Sequence, residues 1–382
     1  MISKVYASNK NSLSLCMDEL RKKELDDFEN GCDFYFFAIH PSFPVDDIAP
    51  TIEDFFKTEN YAAFHALNAF NDNQINDIGI VMCCIKFQKS GKAKTFYIED
   101  IHNNPEKAAK ECVNYFHNNK DHFHLIFAGL AEGTFGFFLE KVSENIDHGL
   151  ASNIVGGISS GNEQNGEVLT YQFTDGKVIK NGLLIVTFEN IEAAIEISLG
   201  FKPYGITYQV DYADGYNLYS VNDGKSFAEV TKRLLKGIDN PDIRYLWYAP
   251  LYILDENDGY VATLRTVAGI EGDHVKLYGP IKKGDHFKLS FAVPEDLLEE
   301  NIYAAARLKK RVTKPELSFD FSCMARQYAM EDKQKEEPII YTKSLDSNLF
   351  GFFTYGEIGP DKKFKKLKLY NETSLLVAMR EK

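Results

Sequence analysis

The residues best suited to chemistry lie towards the end of the chain. Arg326 stands three residues after Cys323, at the expected end of the apolar strand "LSFDFSCMARQ" (Leu317–Gln327). Strand ends are where side chains reach a cleft, and a guanidinium there holds a carboxylate through two parallel hydrogen bonds. Two readings of Arg326 follow: a clamp for an anionic ligand such as an amino-acid carboxylate, or an internal salt bridge with Glu357 as the obvious partner. Glu357 sits between two glycines in "LFGFFTYGEIGP" (Leu349–Pro360), and "LKLYNETSLLVAM" (Leu367–Met379) brings Asn371, Glu372 and Thr373 to its middle. Polar groups inside apolar strands cost free energy unless they find partners, so this ending has the look of a pocket or a junction. Arg265, in "YVATLRTV", is a second strand-borne arginine. We expect Arg265, Arg326, Glu357, Asn371 and Thr373 to line a C-terminal pocket, the arginines neutralising a carboxylate while Asn371 and Thr373 orient it, with Cys323 beside them.

Other chemistries find less support. Cys323 would need an adjacent base or a positive field to become a nucleophile; Arg326 could supply the field, but no histidine is near, and a buried thiol is the better reading. The glycine turn Gly156-Gly157-Ile158-Ser159-Ser160-Gly161 could nest an anion on its backbone N–H groups. Asn162-Glu163 follows it instead of the Gly-Lys-Ser/Thr of a phosphate loop, so its expected role is to pack two halves of the chain together, with a ligand contact at Gly156 and Gly157 as an addition. The nine histidines form no HExxH or Cys/His cluster, which argues against a structural zinc. His122 and His124 alternate on one strand face, expected to be solvated. No Ser-His-Asp order, metal motif or cofactor loop is present, and the chain is expected not to be an enzyme.

Positioning these residues requires a sizeable fold. At 382 residues the chain is long for one simple core and suggests two domains or a duplicated one. Hydrophobic residues make up 44%, with 29 Phe and 21 Tyr, enough to fill such cores. The formal charge of −13 argues against nucleic-acid or anionic-membrane partners, and the basic runs 307–314 and 362–368 are expected to be solvated faces. No apolar run approaches the ~20 residues needed to cross a bilayer, and "LSLCM" near the N-terminus is cut off by Asp18 and Glu19 before it could form a signal-peptide core. Six cysteines without CxxC spacing suggest reduced, buried thiols and a cytoplasmic location.

Periodicity predicts a helix over 12–27 capped by Ser12, strands at Cys32–His40 and Ile78–Phe87, and a helix opened by Asn104-Pro105. "HFHLIFAGLAEG" then predicts strand, turn and helix start, and short strands follow between Ile154 and Tyr219. A helix is expected from Ser226 to Gly237, strands at Tyr260–Val267, Val275–Leu277 and Phe287–Val293, and a long helix from Glu295 to Arg311, after which the chain should be strand-rich. "GFKPYG" (Gly200–Gly205) has the composition of a junction. The expected fold is α/β or α+β, with two related halves, 1–205 and 206–382, each a mostly antiparallel or mixed sheet flanked by helices.

Four segments, in order, resemble the FIST domain family. The "GFFTYGEIG" stretch and the later Asn371-Glu372-Thr373 are similar to the family's closing Gly-Phe/Tyr-Thr-Tyr-Gly-Glu-Ile-Gly and Asn-x-Thr. "LSFDFSCMARQ" is similar to its strand ending in Ser-Cys-x-x-Arg, "NIVGGISSGN" (Asn153–Asn162) to its Gly-Gly-x-Ala-Gly turn, and "YQFTDGKVIKNGLLIVTF" (Tyr171–Phe188) to its strand pair around Asp-Gly. The resemblance implies a FIST N-like and a FIST C-like domain in a sensory module that binds a small polar or anionic, amino-acid-like molecule. With no kinase, methyl-accepting or F-box segment in the chain, it would signal through a separate protein such as a histidine kinase. Some proteins similar to this family bind haem and respond to nitric oxide; His40, closing an apolar strand, would then be the axial ligand. A scaffold that binds no ligand is a further alternative. The chain departs from the family at "FHALNAFNDNQ" (Phe64–Gln74), which lacks the glycines of the usual Gly-Cys-Ser/Thr-Thr-Ala-Gly turn, so part of an N-terminal pocket is expected to be altered or filled.

Overall fold

Phe34–Ile39, Phe123–Ala128 and Leu317–Cys323 are buried at every position, as strands with a layer packed on each face must be. In the computed structural model each is an inner strand of its own mixed sheet. The structure describes all residues except 132, 148, 165, 166, 239, 240, 255–260 and 362–364. Tyr260 and residues 362–364, named above, and one of the nine histidines, His148, lie outside the described residues.

The three sheets are built on one plan. The first unit comprises β1 (Ile2–Ser8), α1 (Leu13–Asp27), β2 (Phe34–Ile39), α2 (Val45–Phe56), β3 (Tyr61–His65), a hairpin of β4 (Ala69–Asn71) and β5 (Gln74–Asn76), and β6 (Ile80–Lys86). The second repeats it with β7 (Lys92–Ile98), α3 (Pro105–Asn118), β8 (Phe123–Ala128), α4 (Phe135–Asn145), β9 (Ile154–Ile158), a hairpin of β10 (Tyr171–Thr174) and β11 (Lys177–Lys180), and β12 (Leu183–Glu189). The third opens with β13 (Ile191–Ser198) and, after an insertion containing α5 (Phe227–Leu234), continues with α6 (Pro294–Arg311) and β14 (Leu317–Cys323). It closes with α7 (Met324–Ala329), α8 (Glu336–Leu345), β15 (Leu349–Thr354), a hairpin of β16 (Glu357–Pro360) and β17 (Leu367–Tyr370), and β18 (Ser374–Glu381).

The sheet orders are β1-β6-β2-β3-β10-β11, β7-β12-β8-β9-β16-β17 and β13-β18-β14-β15-β4-β5. In each, a parallel pair is joined by a helical crossover (β2 with β3, β8 with β9, β14 with β15). In each, the last two strands are a hairpin lent by another unit, so the three units exchange hairpins in a ring. Strands from either side of Gly205 therefore share sheets. The inner faces meet in one aromatic core, where Phe64 stacks on Phe127 at 4.3 Å, Phe36 meets Phe319 at 5.1 Å and Phe64 meets Phe352 at 4.5 Å.

Helices cover the outer faces. Ser12 caps α1 through the Leu15 N–H, and Leu13, Cys16, Met17 and Leu20 turn inward. Asn104 caps α3, and Pro105 takes the first turn, where its missing N–H costs nothing. In α6, Glu295 and Asp296 stand at the start and Lys309, Lys310 and Arg311 at the end, matching the helix dipole. The chain is thus α/β with mixed sheets flanked by helices, as its patterns indicate, although the stretch after Arg311 carries two helices besides its strands. In the glycine-free segment, Phe70 of β4 is fully buried and its ring meets Phe353 at 4.8 Å.

The insertion, residues 202–291, folds on a sheet of its own, its main path running Val261–Arg265, Leu251–Leu254, His286–Phe291, Lys202–Asp214, Asn217–Val221, His274–Leu277 and Val267–Glu271. It leaves and rejoins the third unit side by side, Lys202 lying opposite Phe291. At the point of exit Gly200 adopts φ +76°, and a Cβ there would come within 2.8 Å of the Leu297 side chain. Only glycine satisfies both conditions. Among the described residues no helix is long and apolar enough to cross a membrane.

Candidate ligand-binding site between the insertion and the core

The parallel strands β14 and β15 end on the same side of their sheet, where side chains from several elements can converge. Cys323 closes β14, Tyr355 follows β15, and Asn371 follows β17. The insertion covers this end with Trp247, Thr266 and Tyr278, and Met324 and Ala325 of α7 complete a cavity of about 50 Å³.

Two unusual features coincide at the bend between β17 and β18. Asn371 spends its amide N–H on the Tyr370 carbonyl (3.0 Å), while its buried Oδ1 meets no donor among the described residues. Glu372 accepts from Thr266 Oγ1 at 2.8 Å through Oε1, and its buried Oε2 is likewise unmatched. Buried polar atoms without partners are rare in folded proteins. Glu372 also holds φ +60°, a left-handed backbone that costs a non-glycine residue on the order of 1 kcal/mol or more. Asn371 lines the cavity and Glu372 follows it directly in the chain, so both costs fall at this contact of insertion and core.

The adjacent carboxylate is fully satisfied. Glu357 accepts from Thr354 Oγ1 (2.5 Å), Thr373 Oγ1 (2.8 Å) and the Thr373 N–H (3.3 Å). Burial pushes Glu357 up to about 8 despite these bonds. Burial likewise pushes Glu372 up to about 8, against the Thr266 hydrogen bond and with help from the neighbouring Glu357 charge. The Cys323 thiol is held well above its ordinary value by burial and then by these two carboxylates. It stays protonated and is no nucleophile at neutral pH.

The remaining predicted residues fall elsewhere. Arg326 is fully buried. Its Nε donates to Glu337 Oε2 (3.2 Å), Nη1 to the Leu199 carbonyl (2.7 Å), and Nη2 to Asn301 Oδ1 (2.8 Å), Ser198 Oγ (3.1 Å) and the Leu297 carbonyl (3.2 Å). The internal salt bridge is therefore formed, but its partner is Glu337 of α8 and not Glu357. Arg265 borders a different and larger cleft of about 780 Å³, so the two arginines do not share a pocket. Gly156 and Gly157 lie in strand β9 and not in a turn. Gly157 pairs with Glu357, and a Cβ on it would come 2.4 Å from Thr354 Cγ2, while one on Gly156 would come 2.0 Å from the Ile126 carbonyl. These glycines let the β16–β17 hairpin close on the second sheet.

His124 is not on a solvated face: it is fully buried against Thr187 Oγ1 (2.9 Å) and the Asn119 carbonyl (3.2 Å). His40 is half-buried with Nδ1 against Ser42 Oγ at 2.8 Å, and it does not border this cavity. Sequence reasoning did not reach Trp247, Thr266, Tyr278 or Tyr355. Trp247 is the single tryptophan of the chain, a signal that went unused.

Comparison with known proteins fits this arrangement. The FIST N domain matches residues 33–224 and the FIST C domain residues 228–360. The chain belongs to the FIST family. Its FIST C match carries every cavity residue except Asn371, which lies just beyond it. The chain is also similar to an uncharacterized protein of Aquifex aeolicus (strain VF5), 32% identical over 260 residues that cover 67% of this chain and 96% of the relative. FIST domains are associated with sensing in signal transduction.

Proposed function

We propose that this FIST protein is a sensory binding module that holds a small polar, amino-acid-like molecule between the insertion and the core. The observation that carries this reading is the pair of unmatched buried acceptors, Asn371 Oδ1 on the wall of the cavity between them and Glu372 Oε2 on the next residue of the chain. An ammonium or N–H donor is the chemistry they select, and an ionised Glu372 would balance its charge. A cavity of about 50 Å³ is roughly the space of one or two water molecules, so a metabolite enters only if the insertion swings outward. The adjoining exit and entry strands near Gly200 and Phe291 give that movement a hinge. Occupancy thus becomes a change of shape, read by a separate protein such as a histidine kinase in the cytoplasm. The protonated Cys323 supports a binding module over an enzyme. The haem alternative has less behind it: His40 borders none of the cavities described here.

Trp247 reports on the cavity directly, its Nε1 donating to the Val267 carbonyl at 3.0 Å. Titration with the standard amino acids is expected to change tryptophan fluorescence for at least one of them, and Asn371→Leu is expected to weaken that response about tenfold or more, as losing a charge-assisted partner should. If no amino acid alters fluorescence or melting temperature at millimolar concentration, the reading fails.

A further inference from the structure

The second cavity, of about 780 Å³, separates the insertion from α4 and β17 and has Arg265 in its wall. Arg265 is 7% exposed. Its Nε donates to the Pro280 carbonyl (2.8 Å) and its Nη1 to the carbonyls of Leu264 (2.8 Å) and Leu369 (3.0 Å). These bonds fix the guanidinium plane and leave Nη2 without a protein acceptor among the described residues. Gly279 forms its seat: a Cβ there would come within 2.9 Å of Arg265 Cδ and Nε and 3.0 Å of Cζ. No carboxylate oxygen of the described residues forms an ion pair with it, and Asp285 acts on it only at longer range. Burial pushes this guanidinium down to about 10. A buried cation without a counter-ion is unfavourable, yet the chain builds a dedicated seat for one.

The rest of the cleft points the same way. Of its three lining carboxylates, Glu140 and Glu144 are engaged by Lys282 and Lys141, and Asp285 accepts from the Lys282 backbone N–H at 2.8 Å, whereas Lys283 and Lys366 are exposed in the lining and form no ion pair among the described residues. A chain with a net charge of −13 thus gathers unmatched cations around one concavity of metabolite size. We propose that this cleft binds a small organic anion, its carboxylate or phosphate group meeting Arg265 Nη2 and the rim lysines. The site is distinct from the cavity at Asn371 and does not depend on what that cavity holds. The two are nonetheless adjacent along the chain, since Thr266, which holds Glu372, follows Arg265.

Isothermal calorimetry and thermal shift with citrate and with inorganic phosphate, at ionic strength matched by sodium chloride, test the site. At least one anion is expected to bind and raise the melting temperature beyond the chloride control, and which one does so separates carboxylate from phosphate chemistry. Arg265→Met should weaken that binding tenfold or more. Lys283→Glu, on an exposed rim residue that folding does not need, should weaken it several-fold and covers the case in which Arg265→Met does not fold. Equal affinity in wild type and Lys283→Glu, or no binding of either anion at 10 mM as a rough upper limit, would overturn the proposal.

Discussion

Arg326→Ala is expected to destabilise the protein by about 3–5 kcal/mol, the cost of stranding one partner of a buried ion pair. Both Arg326 and Glu337 have fully buried side chains. Glu337 also accepts from Ser322 Oγ (2.6 Å) and Asn301 Nδ2 (2.9 Å), and Asn301 Oδ1 in turn accepts from Tyr341 Oη (2.7 Å) and Ser198 Oγ (2.6 Å). The network ties α6, α7 and α8 to β13 and β14, so alanine leaves an uncompensated carboxylate and several loosened hydrogen bonds in a dry interior. The urea midpoint should fall with little change in slope. Arg326→Met combined with Glu337→Leu should recover much of the loss, because removing a whole buried pair is often close to neutral. A ligand clamp would behave oppositely, keeping its stability and losing affinity. A single mutant with wild-type urea resistance would sink the structural account.

How far the sequence reveals this protein depends on which physical signal each residue carries. Helices with caps and a clear apolar face, such as Leu13–Asp27 with Ser12 and Pro105–Asn118 with Asn104, are legible because the signal is local. Helix α8 is not. "EEPIIYTKSL" carries Pro338 in its first turn and β-prone Ile339, Ile340 and Tyr341 behind it, so propensity argues for strand while packing against α6 decides for helix. Missing α8 hides Glu337, and Arg326 is then paired with Glu357, the carboxylate set between glycines in an apolar segment. The same limit applies to Gly156 and Gly157. Glycine pairs read as turns, but here they allow a strand from a distant unit to approach, a contact no local pattern encodes.

The threefold plan is hidden for a related reason. Each unit repeats an order of strands and helices, not of residues, and the 90-residue insertion between Lys202 and Phe291 displaces the third unit from any even spacing. The exchanged hairpins carry it further from view, since β4–β5 pairs with β15, nearly 280 residues away. The cavity shares this difficulty. Asn371 and Cys323 stood out as polar or reactive groups among apolar strands, but their partners Trp247, Thr266 and Tyr278 belong to the insertion, and only the folded chain brings the two sets together.

The largest solution effect tied to the site is a loss of stability as pH rises from 6.5 to 8, on the order of 2–4 kcal/mol. Glu357 and Glu372 are pushed up to about 8 by burial, from an ordinary value of 4.5. In this window the unfolded chain has released both protons and the folded chain still holds most of them. Because the folded state binds more protons, stability falls with pH, each group contributing a slope of up to about 1.4 kcal/mol per pH unit. Asp320, raised well above its ordinary range chiefly by burial, acts in the same direction. Below pH 6.5 the sign is contested: burial depresses His65 to about 4 and His124 to about 3, and these histidines favour the folded state as pH rises towards 6.5. Above it the histidine contribution fades as the unfolded imidazoles lose their remaining protons, and the carboxylates dominate. Urea midpoints at pH 6.5, 7.25 and 8 measure the slope, and Glu372→Gln, which keeps the shape but cannot ionise, should remove a large part of it. A flat or rising profile would mean that these carboxylates are not buried as described. The same linkage bears on ligand binding, since an ammonium group arriving at Glu372 favours its ionised form. Binding should then release a proton and strengthen as pH approaches 8, whereas a neutral ligand would show neither effect.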